Sequence, residues 1–158
     1  MTKISAGLLM CRVFDGELQY FLVHPGGPYF RKKEEGFWTI PKGLPDGDEQ
    51  LIETAKREFL EETGIVPKPP FYDLGNIRQK GGKIVHAWAF TGSWEPGEGI
   101  QCNTFSIEWP PGSGKRMEFP EVDKARWFLY RDAVTMIKAE QIPFLNKGKE
   151  HFIREGSP

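Results

Sequence analysis

Residues 43–65 read G-L-P-D-G-D-E-Q-L-I-E-T-A-K-R-E-F-L-E-E-T-G-I, and this stretch decides the fold. A turn at Pro45-Asp46-Gly47 precedes Asp48, which stands where an N-cap residue belongs, ahead of a run of good helix formers. Gly64 is typical of the residue that follows a helix, and prolines soon after it prevent continuation. The stretch therefore predicts a loop, a helix over about residues 48–63 and a second loop.

Three carboxylates share one face of the predicted helix. At about 100° per residue, Glu58 and Glu62 lie one turn apart, with Glu61 beside them. Like charges at this spacing destabilise a helix by a few tenths of a kcal/mol unless a cation is present. Mg²⁺ prefers oxygen ligands, and no Cys/His cluster with zinc spacing occurs in the chain. The face therefore predicts a Mg²⁺ site, with Mn²⁺ as the alternative cation.

A bare E-x-x-E-E string is usually a solvated acidic helix face, but this string belongs to a longer pattern. The stretch satisfies G-x5-E-x7-R-E-U-x-E-E-x-G-U, where U is a bulky aliphatic or aromatic residue. Average composition gives a random window a probability on the order of 10⁻⁹ of meeting these demands. The pattern resembles the Nudix box at every specified position. The resemblance implies an α/β/α sandwich with a mixed β-sheet and a loop-helix-loop catalytic motif.

The same resemblance implies an activity and a metal site. Nudix enzymes hydrolyse a nucleoside diphosphate linked to another moiety, so a pyrophosphohydrolase is expected. Glu58 and Glu62 would ligate the metal directly, and Glu61 would ligate the metal or its water. The carbonyl oxygen of Gly43 would join them. A bound metal ion neutralises pyrophosphate oxygens and lowers the pKa of a bound water, so that attack on phosphorus is feasible near neutral pH.

Three further residues receive roles from the resemblance. Arg57 and Glu49 would pair with each other and hold the helix and the loop in register. Glu121 opens the segment E-V-D-K-A-R-W, which is similar to the diadenosine tetraphosphate hydrolase branch, where this acid supplies a metal ligand or a base. Members of the family differ in which carboxylate takes the proton from water. The base is therefore open among Glu58, Glu61 and Glu121.

Substrate contacts are expected from basic residues, because a cleft rich in glutamate needs cations to hold a polyanion. Lys42 and Lys83 are the candidates. They lie in the segments F-W-T-I-P-K-G (37–43) and K-I-V-H-A-W-A-F (83–90), which are similar to the diadenosine tetraphosphate hydrolase branch, where a lysine at the place of Lys83 approaches the phosphates. His86 is a further candidate, although a mid-strand histidine is more often structural.

Aromatic residues are candidates for stacking on a nucleobase, which is worth roughly 1 to 3 kcal/mol per base. Tyr29 and Phe30 stand in a polar, glycine-rich loop and are the better candidates. For Trp88 and Trp109 we favour packing, because most aromatic side chains fill cores.

The remaining pattern predicts an α/β domain with a mainly antiparallel or mixed sheet. Asp15-Gly16 is a hairpin turn signal, Gly81-Gly82 marks a second turn, and residues 93–103 read as a surface loop. Strands are predicted at 4–13, 18–24, 71–78, 83–91, 104–109, 116–119 and 125–130, and two short helices at 132–140 and 143–154.

Composition sets limits on the class of protein. A chain of 158 residues has room for one compact domain, expected to cover 1–158. The net charge of -1 gives no global attraction to nucleic acid or an anionic membrane, so a small nucleotide substrate is the expected partner. Arg12 interrupts the apolar run near the start, which predicts a strand rather than a signal peptide, and two cysteines do not form a secreted framework. A cytoplasmic protein, monomeric or homodimeric, is expected.

Other functions stay open at this point. The leading hypothesis is cleavage of dinucleoside polyphosphates or nucleoside triphosphates. The substrate alternatives are the 5′ end of RNA, a sugar nucleotide or an inositol pyrophosphate, and the near-neutral charge disfavours RNA. A non-catalytic nucleotide-sensing module is the alternative of another class, but such a module is expected to lose one of the box carboxylates, and all are present.

Overall fold

The computed structural model describes residues 3–156, with side chains as far as Ile153, so residues 1–2 and 157–158 of the predicted domain lie outside the described residues. None of the described helices is long and apolar enough to cross a membrane. The elements are β1 (Ile4–Phe14), β2 (Glu17–Pro25), β3 (Lys42–Gly43), α1 (Leu51–Thr63), β4 (Tyr72–Arg78), β5 (Ile84–Thr91), β6 (Thr104–Glu108), β7 (Arg116–Pro120), β8 (Val122–Leu129), α2 (Tyr130–Met136) and α3 (Ile142–Gly156).

β1 is the centre of the main sheet. The strand order is β4-β5-β1-β2-β8, and the short β3 also pairs with β1. The β1–β5 pair is parallel and the other pairs are antiparallel, so the predicted mixed sheet is confirmed. At the β1–β2 turn, Asp15 and Gly16 both have positive φ, 52° and 77°, as a two-residue hairpin turn requires. β6 and β7 pair only with each other in the described chain and form a second, two-stranded sheet.

Successive side chains of β1 enter two different cores. Leu9 packs in one core with Phe144 of α3, whereas Leu8 and Met10 pack in the other with Phe59 of α1. Alternation of this kind follows from the period of two in a strand. Full burial of a side chain such as Phe59 stabilises the fold by about 1.5–3 kcal/mol. Helices therefore cover both faces of the sheet, and the predicted α/β/α sandwich is confirmed.

The start of α1 differs from the prediction. The helix begins after Gln50, not at Asp48, and no side chain caps it. The carboxylate of Glu49 instead accepts a hydrogen bond from the Thr54 hydroxyl at 2.7 Å, which keeps this segment in a loop until Gln50. The predicted end is correct, because Gly64 follows the helix in the left-handed conformation and donates to the carbonyl of the last turn.

The predicted helix over 132–140 is divided into α2 and a 3₁₀ turn at Ala139–Gln141. The reason is a backbone pairing: Trp38 N donates to the Met136 carbonyl at 3.0 Å, and Lys138 N donates to the Trp38 carbonyl at 2.9 Å. A helix cannot make these bonds at the same time. The pairing also fixes the chain just before the segment that leads to Lys42.

Two other predictions need correction. The predicted strand 125–130 is β8, which starts earlier because Val122 is buried in the core, while Tyr130 already begins α2. The predicted surface loop 93–103 carries a buried side chain, Trp94. Its ring meets the Phe21 ring edge-on at 5.1 Å between centroids, and its indole N–H donates to a loop carbonyl at 2.7 Å.

Candidate active site

Gly43 lies where the backbone of β3 comes closest to α1. β3 pairs with β1, which places Gly43 opposite Ala6. A Cβ atom added to Gly43 would stand 2.1 Å from the carboxyl carbon of Glu58. Such an approach is too short for any real contact, so only glycine leaves room for this carboxylate. Glycine therefore leaves room for the Glu58 carboxylate in this position, whereas a larger residue would displace the end of that flexible side chain.

Glu62 is the most deeply buried acid of α1, with 9% of its surface exposed. One carboxylate oxygen accepts the Lys42 backbone N–H at 3.1 Å, which ties the helix to β3. Burial, followed by the nearby charges of Glu58 and Glu121, raises the pKa of Glu62 to about 8. A cation beside this buried carboxylate would stabilise its ionised form.

Arg57 connects the helix to the preceding loop. Its Nε and Nη2 atoms donate to the two carboxylate oxygens of Glu49 at 3.0 and 2.9 Å, so the predicted pairing is present. Nη2 also donates to the Leu44 carbonyl at 3.0 Å, and Nη1 donates to Glu61 at 3.2 Å. The hydrogen bonds from Arg57, with one from Thr54, lower the pKa of Glu49 to about 2. The loop and the helix are thereby locked together.

Glu121 reaches the same region from between β7 and β8. Its backbone N–H donates to the Asn103 carbonyl at 2.9 Å, and its carbonyl accepts Gly26 N–H at 2.9 Å. A Cβ at Gly26 would stand 2.0 Å from the carbonyl oxygen of Pro120, so this approach also needs glycine. Burial, followed by the charge of Glu61, raises the pKa of Glu121.

One cleft of about 440 Å³ is lined by both carboxylates and lysines. Lys42 and Lys83, predicted from separate segments, both line it with Glu58 and Glu121. Burial lowers the pKa of Lys42, and the positive charge of Lys138 acts in the same direction. Because the positive charges of these lysines repel one another, a bound polyanion would stabilise them.

The acids fit a hard divalent cation by the chemistry of their donors. In the described chain, no three side chains from His, Cys, Asp and Glu are arranged to hold a metal as they stand. Arg57 Nη1 lies instead between Glu58 and Glu61, at 3.4 and 3.2 Å. Burial and neighbouring negative charges raise the pKa of Glu58 as well as that of Glu62. An oxygen-only set with this mutual repulsion is one that Mg²⁺ would stabilise.

Comparison with known families agrees with the box. The family profile described as the NUDIX domain matches residues 3–154. The chain belongs to the Nudix family. Membership supports the enzyme class that the box predicted, the Nudix pyrophosphohydrolases.

Several known Nudix proteins are similar to this chain. The NUDIX domain of Shewanella oneidensis NrtR, complexed with ADP ribose, is 21% identical with a TM-score of 0.65, over 96% of this chain and 88% of that one. A C. elegans Ap4A hydrolase binary complex is 22% identical with a TM-score of 0.63, over 95% and 97%. Identities this low show a shared fold. The mouse protein "nucleoside diphosphate-linked moiety X motif 6" is 42% identical over 50 residues, which span 32% of this chain and 15% of that protein.

Three predicted substrate residues do not line the Nudix cleft. Tyr29 is 56% exposed, and its ring meets Trp109 edge-on at 5.3 Å, because the loop that carries it packs on the β6–β7 sheet. His86 Nε2 lies 2.8 Å from the Asp73 carboxylate, and its ring stacks on Trp88 at 4.3 Å. Phe30 borders a different cleft.

Apart from Leu44, the neighbour of Gly43, sequence reasoning missed two residues that line the Nudix cleft, namely Lys3 and Ser5. They belong to the start of the chain, where the Ile84 N–H donates to the Lys3 carbonyl at 3.1 Å as part of the parallel β1–β5 pairing. The sequence carries no local signal for this pairing, since its strands are far apart in the chain. Lys3 and Ser5 are recognised as cleft residues only once this long-range pairing is known.

Arg57→Lys is expected to lower kcat/KM by about 10–100-fold, as loss of a residue that orients a metal ligand does. Lysine is a point charge and cannot donate to Glu49, Leu44 and Glu61 at the same time, as the guanidinium does. Steady-state kinetics measures the loss. Lys56→Ala is the matched control, because Lys56 lies on the same Nudix helix and contacts exposed Glu53 and the Phe71 ring rather than the loop or the cleft. Equal losses in both variants would contradict a positioning role for Arg57.

Proposed function

We propose that the protein hydrolyses phosphoric anhydride bonds with Mg²⁺, or with Mn²⁺ in its place, and that dinucleoside oligophosphates or nucleoside triphosphates are its substrates. The observation that supports this best is the single cleft that contains Glu58 and Glu121 together with Lys42 and Lys83. Acids suit a metal ion and lysines suit phosphates, and the reaction needs both.

Glu58, Glu61 and Glu62 would hold the metal together with the Gly43 carbonyl. The fit rests on the all-oxygen donor set and on the space that Gly43 leaves for Glu58. When bound, the ion would neutralise phosphate charge and lower the pKa of a bound water. Arg57 and Glu49 would act as positioning residues, because their hydrogen bonds fix the loop against the helix.

The other steps fall to side chains of the cleft. Lys42 and Lys83 would bind the phosphate oxygens and orient the anhydride for in-line attack. A carboxylate would accept the proton of the attacking water, and an acid whose pKa is raised toward neutrality is suited to this task. Glu58 and Glu121 both meet that description and both line the cleft. Glu61 remains the third candidate for the base.

The similar solved structures support the choice of substrates to test. One is an Ap4A hydrolase, which favours diadenosine tetraphosphate, and another is a NUDIX domain complexed with ADP ribose. The second similarity motivates ADP-ribose as the competing substrate. It also keeps a nucleotide-binding module without turnover as the alternative function.

The test is product analysis with the purified protein in Mg²⁺, in Mn²⁺ and in EDTA. Diadenosine tetraphosphate, ATP, ADP-ribose, a sugar nucleotide, an inositol pyrophosphate and capped RNA are each supplied, and products are separated by anion-exchange chromatography. Metal-dependent release of nucleotides from diadenosine tetraphosphate or ATP is the expected result. Binding of nucleotide without turnover of any compound would overturn the proposal in favour of the binding module.

A further inference from the structure

A second cleft of about 860 Å³ lies beside the first and shares Lys83 with it. Its volume falls within the range of about 300–1,000 Å³ that is usual for small-molecule sites. Neither the Nudix box nor the proposed chemistry uses the other residues of this cleft. Its aromatic and cationic residues are Phe30, Phe37, Arg78, Lys80, Lys83 and Lys138.

The charge of this second cleft is positive. Arg78, Lys80, Lys83 and Lys138 contribute cations, and the acid that lines it, Glu140, has one carboxylate oxygen 3.3 Å from the Lys80 backbone N–H. Lys83 and Lys138 both act electrostatically on Lys42 of the first cleft. A row of cations therefore leads from the acidic cluster into the second cleft.

The wall of this cleft is rigidly supported. Gln141 is fully buried, and its amide donates to Thr39 Oγ1 at 2.8 Å and to Gln79 Oε1 at 3.0 Å. Its amide oxygen accepts the Ile40 N–H at 3.1 Å. These bonds hold the turn that carries Lys80 and Lys83 against the segment that leads to Lys42. A preorganised site of this kind binds its ligand with a smaller entropic cost.

Aromatic rings supply an apolar surface in the same cleft. Phe30 and Phe37 both line it, with ring centroids 6.1 Å apart and planes inclined at 51°. Lys33 lies over the Phe37 ring at 5.3 Å. Rings beside cations suit a ligand that combines phosphate with a flat base, whereas an inositol polyphosphate offers nothing to stack on an aromatic ring.

We propose that the second cleft is a subsite for the distal half of a dinucleoside oligophosphate. The phosphates beyond the cleaved anhydride would bind along Lys83, Lys138, Lys80 and Arg78, and the terminal base would pack against Phe30 and Phe37. This inference rests on the proposed function and narrows it, because a substrate with only two phosphates would leave most of these cations unused. Lys138, Lys80, Arg78 and Phe37 are thereby specificity residues.

The test compares a long and a short ligand in the wild type and in Lys138→Ala/Lys80→Ala. Dissociation constants for diadenosine tetraphosphate and ADP-ribose are measured calorimetrically in EDTA, where no turnover occurs. We expect the double variant to bind diadenosine tetraphosphate about 10-fold or more weakly, since each removed cation contacts phosphate. Its affinity for ADP-ribose should change by less than about twofold. Lys68→Ala, an exposed cation elsewhere on the protein, is the matched control.

Each outcome has one meaning. Equal loss for both ligands, or no loss for either, would overturn the subsite, as would a wild type that fails to bind diadenosine tetraphosphate. Loss confined to the long ligand supports it. The proposed function is judged separately: if the wild type shows the selective binding but cleaves nothing in Mg²⁺, the hydrolase proposal fails while the subsite stands.

Discussion

Glu62→Gln should lower kcat/KM by about 10²–10³-fold, the loss typical for removal of one preorganised charged or polar group from a reaction site. Glutamine has nearly the same shape and can still accept the Lys42 N–H, so the fold should persist. What disappears is the negative charge that we propose for the metal. Initial rates in Mg²⁺ with the preferred substrate measure the effect.

The same substitution should stabilise the metal-free protein as the pH rises. Because burial raises the pKa of Glu62 to about 8, this acid binds its proton more tightly in the folded state than in the unfolded chain. Its contribution to stability is complete below the unfolded pKa of about 4.3 and is lost as the pH rises to the folded value. Glutamine cannot ionise. In EDTA, the difference in Tm between the variant and the wild type should therefore grow in favour of the variant from pH 5 to pH 8.5.

Glu53→Gln is the matched control for both effects. Glu53 lies on the same helix, but its side chain is exposed and pairs with Lys56. Kinetics and Tm should stay close to those of the wild type, since exposed pairs contribute about 0–1 kcal/mol. If the Glu62→Gln variant keeps the wild-type kcat/KM, Glu62 has no role in the reaction. If the Tm difference does not change with pH, the raised pKa of Glu62 is contradicted.

Gly43→Ala is the second large effect, and it should lower kcat/KM by about 10²-fold or more, as misplacement of a reacting group by about 1 Å does. The new methyl group would stand 2.1 Å from the Glu58 carboxyl carbon, so either β3 or the Glu58 side chain must move. Movement of Glu58 breaks the acidic cluster, and movement of β3 displaces Lys42. Kinetics should be combined with a Mg²⁺ titration of Tm, since binding to the folded state raises Tm by mass action.

A matched control is available at Gly97. A Cβ there would meet nothing within 4 Å, and its φ is not in the left-handed region. Gly97→Ala should leave both activity and the Mg²⁺-dependent rise in Tm unchanged. If Gly43→Ala behaves like Gly97→Ala, the close approach of β3 to Glu58 has no functional role.

The catalytic helix and its neighbours could be predicted because their signals are local. The Glu49–Arg57 pair, the helix end at Gly64 and the hairpin turn at Asp15-Gly16 all lie within short stretches of sequence. Turn chemistry and the conformational freedom of glycine are enough to infer the helix end and the hairpin turn, whereas the Glu49–Arg57 pair was inferred from the resemblance to the Nudix box. The start of the helix was wrong by contrast, because the contacts of the Glu49 side chain override the capping preference of Asp48.

Features that depend on distant contacts could not be predicted. Lys3 lines the Nudix cleft because of the parallel β1–β5 pairing. Lys138 lines the second cleft because the backbone pairing with Trp38 interrupts the helix predicted over 132–140. Neither residue differs from an ordinary surface lysine in its sequence surroundings. The strands β6 and β7 were predicted, but their separation from the main sheet was not. The local sequence around a residue therefore does not predict which long-range contacts the residue makes.

The central place of β1 has a consequence for how the chain reaches its native state. β1 and β2 can form a hairpin early, since a local turn joins them. The parallel partner β5 is paired from Ile84 to Thr91, so the middle of the sheet cannot close until the ribosome has released that segment. Until then one edge of β1 exposes unpaired backbone groups beside apolar side chains, which makes a nascent chain prone to aggregate. Substitutions in β5 should therefore reduce the yield of soluble protein more than equally destabilising substitutions in β2.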